Sequence, residues 1–112
     1  MTSRRKQLTL VEVAAHCLTK PRAVRTRPFG PEPLVFKVAK KMFALLGHLD
    51  GKEIVSLKCD PERSTTLRTS FAAIVPGYHL NKEHWNTLVL DGSLATSLVF
   101  ELVDHSYDLV TS

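Results

Sequence analysis

The stretch from Pro76 to Asn86, Pro-Gly-Tyr-His-Leu-Asn-Lys-Glu-His-Trp-Asn, gathers side chains able to do recognition chemistry. It holds the only Trp, one of two Tyr, two of five His, two amides and a Lys. A segment that merely joins two elements needs turn formers, not this density of aromatic and hydrogen-bonding groups. Rings with polar tips beside a cation offer stacking faces and donors together. The same groups also suit a structural corner, with Tyr78 and Trp85 anchoring a small core while the His and Asn residues satisfy backbone groups. Both readings fit the residues.

Catalytic and metal chemistry find less support. His79 and His84, with His48 and His105, match neither an HExxH helix nor a Cys/His zinc pattern. They read as residues that cap or bridge backbone around the Pro-Gly turn, so no metal or other cofactor is expected. Asp104, His105 and Ser106 are consecutive in a helical stretch, where neighbours point in different directions and form no triad. The chain has no Gly-rich phosphate loop, and its carboxylates are scattered instead of paired for acid–base work. The expectation is a protein that binds, not an enzyme.

Composition sets the class. A chain of 112 residues, 44% hydrophobic and 23% charged, makes one soluble domain spanning residues 1–112. No apolar run approaches the ~20 residues that span a bilayer. The basic start is followed by Glu12 and His16, not by a signal-type apolar stretch, so a cytoplasmic protein without membrane attachment is expected. Cys17 and Cys59 lie in apolar surroundings and are expected to stay reduced. Charge is uneven: residues 1–27 carry seven cations against Glu12 alone, net +6, whereas residues 28–112 net −2. The first seven residues read as a basic tail. A local basic segment can attract phosphates without making the whole domain a nucleic-acid binder.

These groups need elements to position them. Thr9 and Glu12 fit a capping box, followed by a helix with an apolar stripe at Leu10, Val13, Ala14, Cys17 and Leu18 and a stop near Lys20, before Pro21. Residues 21–33, with four Pro and one Gly, read as extended or irregular. Strands are expected at Leu34–Val38, Lys41–Leu46 and Glu53–Cys59, the first two joined by a tight turn at Ala39-Lys40 that lacks the usual positive-φ residues. Asp60-Pro61 caps and starts a second helix running to about Phe71. A short strand near Tyr78–Leu80 and a longer one over Trp85–Leu90 follow. A last helix is capped by Ser93, its core stripe marked by Leu94, Leu98, Leu102, Val103, Leu109 and Val110. The sum is a two-layer α+β domain of order α-β(3)-α-β(2)-α with an antiparallel sheet and helices on one face.

Several segments carry a family resemblance in order along the chain. They are Pro28-Phe29-Gly30-Pro31 with Leu34-Val35-Phe36-Lys37-Val38, then Lys41-Met42-Phe43-Ala44-Leu45-Leu46, Leu57-Lys58-Cys59-Asp60-Pro61-Glu62, the Pro76–Asn86 stretch and Asp104-His105-Ser106-Tyr107. Together they resemble the MmcQ/YjbR family of small bacterial proteins from about Leu8 to Val110. The resemblance implies a two-layer fold like that of type III secretion chaperones, with the third strand beside the last. It also implies DNA binding, the label that relatives commonly carry by prediction. Relatives commonly have acidic residues just before the Pro-Phe-Gly turn, where this chain has Val24-Arg25-Thr26-Arg27.

Pairing the hairpin about Ala39-Lys40 sets Phe36 opposite Phe43, and the next loop sets Phe43 opposite Ser56. Alternation then gives Val35, Lys37, Met42, Ala44, Leu46, Val55, Leu57, Cys59, Leu88 and Leu90 to the helices. Leu34, Phe36, Val38, Lys41, Phe43, Leu45, Ile54, Ser56, Lys58, Trp85, Thr87 and Val89 fall on the outside. A slip of one residue would exchange the faces. An outer face this apolar needs a partner. Two alternative partners fit it. One is DNA, with Arg25, Arg27, Lys41 and Lys58 on phosphates, Tyr78 or Trp85 stacking on bases, and Asn81, Lys82, His84 and Asn86 adding hydrogen bonds. The other is protein, in the form of a homodimer or adaptor contact that buries Phe36 and Phe43.

Overall fold

The computed structural model describes residues 7–112. The expected basic tail therefore lies outside the described residues, Gln7 excepted. Helix α1, Leu10–Leu18, begins with the capping box: Thr9 N–H donates to Glu12 Oε1 at 3.0 Å, and Glu12 N–H donates to Thr9 Oγ1 at 3.4 Å. Strand β1, Val24–Thr26, emerges from the Pro-rich stretch read as extended or irregular. It is three residues long, too short to leave a period in the sequence, and pairing with β2, Leu34–Val38, defines it.

The turn to β3, Lys41–Leu49, is the tight one expected at Ala39-Lys40. Both residues take positive φ, 50° and 69°, so strand pairing imposes the primed-turn twist on residues that do not favour it. Strand β4, Lys52–Lys58, follows, then α2, Pro61–Ser70, with Asp60 Oδ2 accepting the Arg63 amide at 3.2 Å. The next strand, β5, is Ile74–Pro76, not Tyr78–Leu80. Residues 77–84 form a loop before β6, Trp85–Val89. Helix α3 spans Thr96–Thr111 with Ala95 at its N-cap. Ser93 does not cap it, because its amide and hydroxyl are both bonded to Asp91 Oδ1, at 2.9 and 2.6 Å.

The strands form one antiparallel sheet in the order β1-β2-β3-β4-β6-β5, with the helices on one side. The α+β class holds, with one strand more than expected before α2, and β4 lies beside β6. The hairpin register is corrected. Phe36 pairs with Ala44, Lys37 with Met42, and Leu45, not Phe43, faces Ser56. Phe43 is the extra residue of a β-bulge, so Phe43 and Ala44 both point to the helices. The bulge also exchanges the faces of β2. Phe36, Val38 and Phe43 lie in the core, whereas Val35 and Met42 face outward. Lys41, opposite Val38, falls on the helix side.

Phe36 and Phe43 are fully buried, so the dimer contact expected of them is not available. Phe43 packs edge-on against Tyr107 of α3, with ring centres 5.4 Å apart. Ser106, also fully buried on α3, accepts the Lys58 amide and donates to the bulged Phe43 carbonyl at 2.6 Å. Helix α1 joins α3 through Asp104, which binds His16 Nε2 at 2.8 Å and Lys20 Nζ at 3.1 Å. Cys17 is buried between them, and burial, reinforced by the Asp104 charge, pushes its thiol up to about 12. Leu109, placed in the core stripe by its spacing, is exposed, and Val99 and Tyr107 take its share. Among the described residues no helix is long and apolar enough to cross a membrane.

Candidate binding site on the outer sheet face

The side of the sheet away from the helices carries its own small apolar cluster. Val35 of β2, Leu45 of β3 and Trp85 of β6 are buried together, and Met42 and Leu80 pack against them. Leu80 comes from the 77–84 loop, which crosses back over the sheet instead of extending from it. Two features fix that path. Gly77 N–H donates to the Trp85 carbonyl at 2.9 Å, and a Cβ at Gly77 would lie 2.7 Å from Trp85 Cβ, so only glycine allows this approach. Arg68 of α2 then clamps the returning chain, donating to the carbonyls of Lys82 and Trp85 and, at 2.7 Å, to Asn86 Oδ1.

Within the loop, Asn81 Oδ1 accepts the amides of Glu83 and His84 at 2.9 and 3.1 Å. Lys82 Nζ reaches the Gly77 carbonyl at 2.9 Å. Backbone bridging thus falls to Asn81 and Lys82, whereas it was expected of His79 and His84. The Tyr78 amide donates at 2.8 Å to Thr87 Oγ1, which is itself 2.8 Å from Ser56 Oγ. The hydroxyls on the outer face are therefore knitted to the loop, which leaves the Tyr78 ring half-exposed and His79 in a left-handed conformation, φ 59°.

Beyond the loop the sheet stays open, and a cavity of about 430 Å³ lies there. Its floor is Met42, Leu45, Gly47, Ile54 and Ser56; Phe29 and Pro33 wall one side, and Tyr78, His79 and Leu80 the other. At the mouth Glu32 Oε2 holds His48 Nδ1 at 2.7 Å, while Glu32 Oε1 accepts the His48 amide at 3.0 Å. Gly47 keeps that pair close, since a Cβ there would sit 3.2 Å from Glu32 Oε1. The pair is about half exposed, at 46% for His48 and 49% for Glu32. An apolar chamber with a few polar groups at its rim is the usual form of a small-molecule or side-chain pocket.

The residues expected on nucleic acid are distributed over several surfaces. Lys58 stands over the Trp85 ring, 5.8 Å from its centre, on the outer face. Trp85 is only 6% exposed, closed in by the apolar cluster. Tyr78, Asn81, Lys82 and His84 are exposed on the loop. Asn86 is buried on the helix side, between Arg68 and Ser64. Arg25 pairs with core-facing Phe36, and Arg25 and Arg27 border a groove against α1. Lys41 sits at the hairpin end on that same side. Pocket residues Phe29, Glu32 and Met42 escaped the sequence reading, because their meeting depends on the bulge and on the path of the 27–33 loop.

An open-faced α+β sheet whose bare side is partly roofed by a Gly-anchored loop is the class of protein these features define. Its family is specific. The chain belongs to the YjbR family, whose model matches residues 18–109. It is 37% identical over 100 residues to the uncharacterised protein YjbR of Escherichia coli K12, covering 89% of this chain and 85% of that one. To the uncharacterised protein YyaQ of Bacillus subtilis it is 37% identical over 76 residues, 68% of this chain and 63% of the relative. Among solved structures, a Deinococcus radiodurans protein of domain DUF419 superposes with a TM-score of 0.86 at 43% identity, covering 95% of this chain and 80% of that one. A Pseudomonas syringae protein gives a TM-score of 0.79 at 28% identity, covering 91% of this chain and 98% of that one.

Proposed function

We propose that this protein works by binding, without catalysis, and that its ligand enters the outer-face pocket with an apolar group, a ring or a branched chain. One observation carries the reading: the open, largely apolar cavity of about 430 Å³ on a hydrogen-bonded sheet floor. Its polar rim, Tyr78, His79 and the Glu32–His48 pair, would orient a ligand that also bears a hydrogen-bonding group. The test is a fragment screen read by backbone amide shifts. Hits should perturb Leu45, Gly47, Ile54 and Ser56, and Met42→Trp, which fills the cavity from a partly exposed position, should abolish them. Hits that ignore the Met42→Trp change would move the site elsewhere.

A second reading, nucleic-acid binding on the same face, has the Lys58–Trp85 pairing in its favour. Lys58, Lys82 and the exposed Tyr78 ring would supply the charge and the stacking surface. Binding of single-stranded DNA should then fall steeply with salt and weaken in Lys58→Ala. Binding that is absent at low salt, or that Lys58→Ala leaves unchanged, would end this reading.

A further inference from the structure

Helix α1 is apolar on two sides. Val13 and Cys17 face the core, but Val11, Ala15 and Leu18 form a second stripe at helical spacing that faces solvent. Val11 is 79% exposed and Leu18 44%. An amphipathic helix normally gives its second face to polar groups, but here Glu12 is engaged by the Thr9 cap and His16 by Asp104 and the Phe100 ring, away from this stripe. Alongside runs β1, the end strand of the sheet, with its outer edge paired to no other strand among the described residues. Between α1 and β1 lies a groove of about 480 Å³, floored by Leu34 and Leu46 and bordered by Arg25 and Arg27.

An unpaired edge beside an apolar groove is the arrangement that takes an added strand, with backbone bonds giving affinity and alternate side chains giving specificity. The border charges select the occupant. Arg27 is tied to the Pro31 carbonyl at 3.2 Å, Arg25 is exposed, and the one acid on the rim, Glu32, is bonded to His48. Edge-to-edge pairing with a second copy would set Arg25 and Arg27 against the same residues and repel. The chain's own start carries Arg4, Arg5 and Lys6 and repels likewise.

We propose that this groove docks an extended segment of another protein, one that carries apolar and acidic residues two apart, on the same face of the strand. It adds to the β1 edge, lays its apolar side chains on the Val11–Leu18 stripe and sets its carboxylates on Arg25 and Arg27.

The probe is a displayed library of random octapeptides selected on the full chain, with fluorescence anisotropy of the leading peptide as the readout. The selected pool should be rich in Asp and Glu spaced two residues from apolar ones. Its leader should bind Arg25→Glu/Arg27→Glu at least about tenfold more weakly, since like charges then meet across the contact. Val11→Lys, on a side chain already in solvent, should weaken binding at an unchanged melting temperature. A pool without acidic bias, or a leader indifferent to both variants, overturns the proposal. So does displacement by a thymidine oligonucleotide that binds the wild type more tightly than the peptide. A dimer dissolved by Val11→Lys would give the groove to a second copy and overturn it as well.

Discussion

Asn86 carries amide chemistry that suits a ligand, yet its partners are internal. Its Nδ2 donates to Ser64 Oγ at 3.2 Å and its Oδ1 accepts from Arg68 Nε at 2.7 Å, with 2% of the residue exposed. Removing one partner of a buried bond leaves the other unsatisfied. Asn86→Ala is predicted to cost about 2 kcal/mol in urea unfolding. Because Arg68 also holds the Lys82 and Trp85 carbonyls, the native emission of the only Trp should shift to the red. An unchanged midpoint would show that Arg68 finds replacement acceptors. Gly77→Ala tests the close approach from the other side. The Cβ would meet Trp85 Cβ at 2.7 Å, and a shift of the loop is predicted to cost about 1–3 kcal/mol. A variant as stable as the wild type would mean that the loop gives way freely. Residue type alone marked both positions as important; which neighbour each one meets was not written in the type.

The bulge in β3 decides how the sheet meets its helices. By placing Phe43 and Ala44 on one side it turns the alternation of β2 over, so that Phe36 enters the core and Val35 leaves it. The bulged carbonyl of Phe43 is the acceptor that Ser106 supplies with a proton, and the same hydroxyl takes the Lys58 amide at 3.0 Å. This is why a fully buried serine sits in the core stripe of α3. Ser106→Ala should therefore destabilise by about 2 kcal/mol and speed hydrogen exchange at Lys58, because two buried backbone groups lose their partner. Stability and exchange both unchanged would point to a trapped water replacing the hydroxyl. A single extra residue in one strand leaves no mark on hydrophobic periodicity, so the sequence supports β2 and β3 as strands but not their facing.

Charge acts over the entire domain through Asp104, which ties α1 to α3. Burial works to raise its pKa, but the bonds from His16 and Lys20 outweigh it and hold the carboxyl below its ordinary 3.8. A depressed carboxyl contributes stability that is present above its unfolded pKa and lost as pH falls through the folded one. Asp104→Asn should therefore be less stable than the wild type at neutral pH. The gap should begin to narrow as pH falls toward the ordinary value of 3.8 and close only below the folded, lower value. Thermal unfolding of both proteins from neutral pH down to about pH 3 reads this directly. A gap that does not narrow at all between neutral pH and about pH 3 would assign the contribution to hydrogen bonding that protonation does not remove. The same domain-wide charge separates two surfaces: Lys58 and the pocket on the outer side, Arg25 and Arg27 on the helix side.

Local chemistry was decided by local sequence. Thr9 and Glu12 close a capping box, Asp60 and Pro61 start a helix, and apolar runs bounded by turn residues become strands, since each choice depends on neighbours within a few positions. The family was legible for a related reason, because ordered short motifs survive in the chain itself. Tertiary structure alone decided three matters. It made a strand of Val24–Thr26, which pairs only because β2 is there to receive it. It set the faces of β2 and β3 through one bulged residue. It brought Phe29, Glu32, Met42, His48 and Tyr78 around one cavity from three separate stretches of chain. Contacts between residues far apart in sequence are fixed by register and loop path, and a shift of one residue in either would have built a different surface from the same side chains.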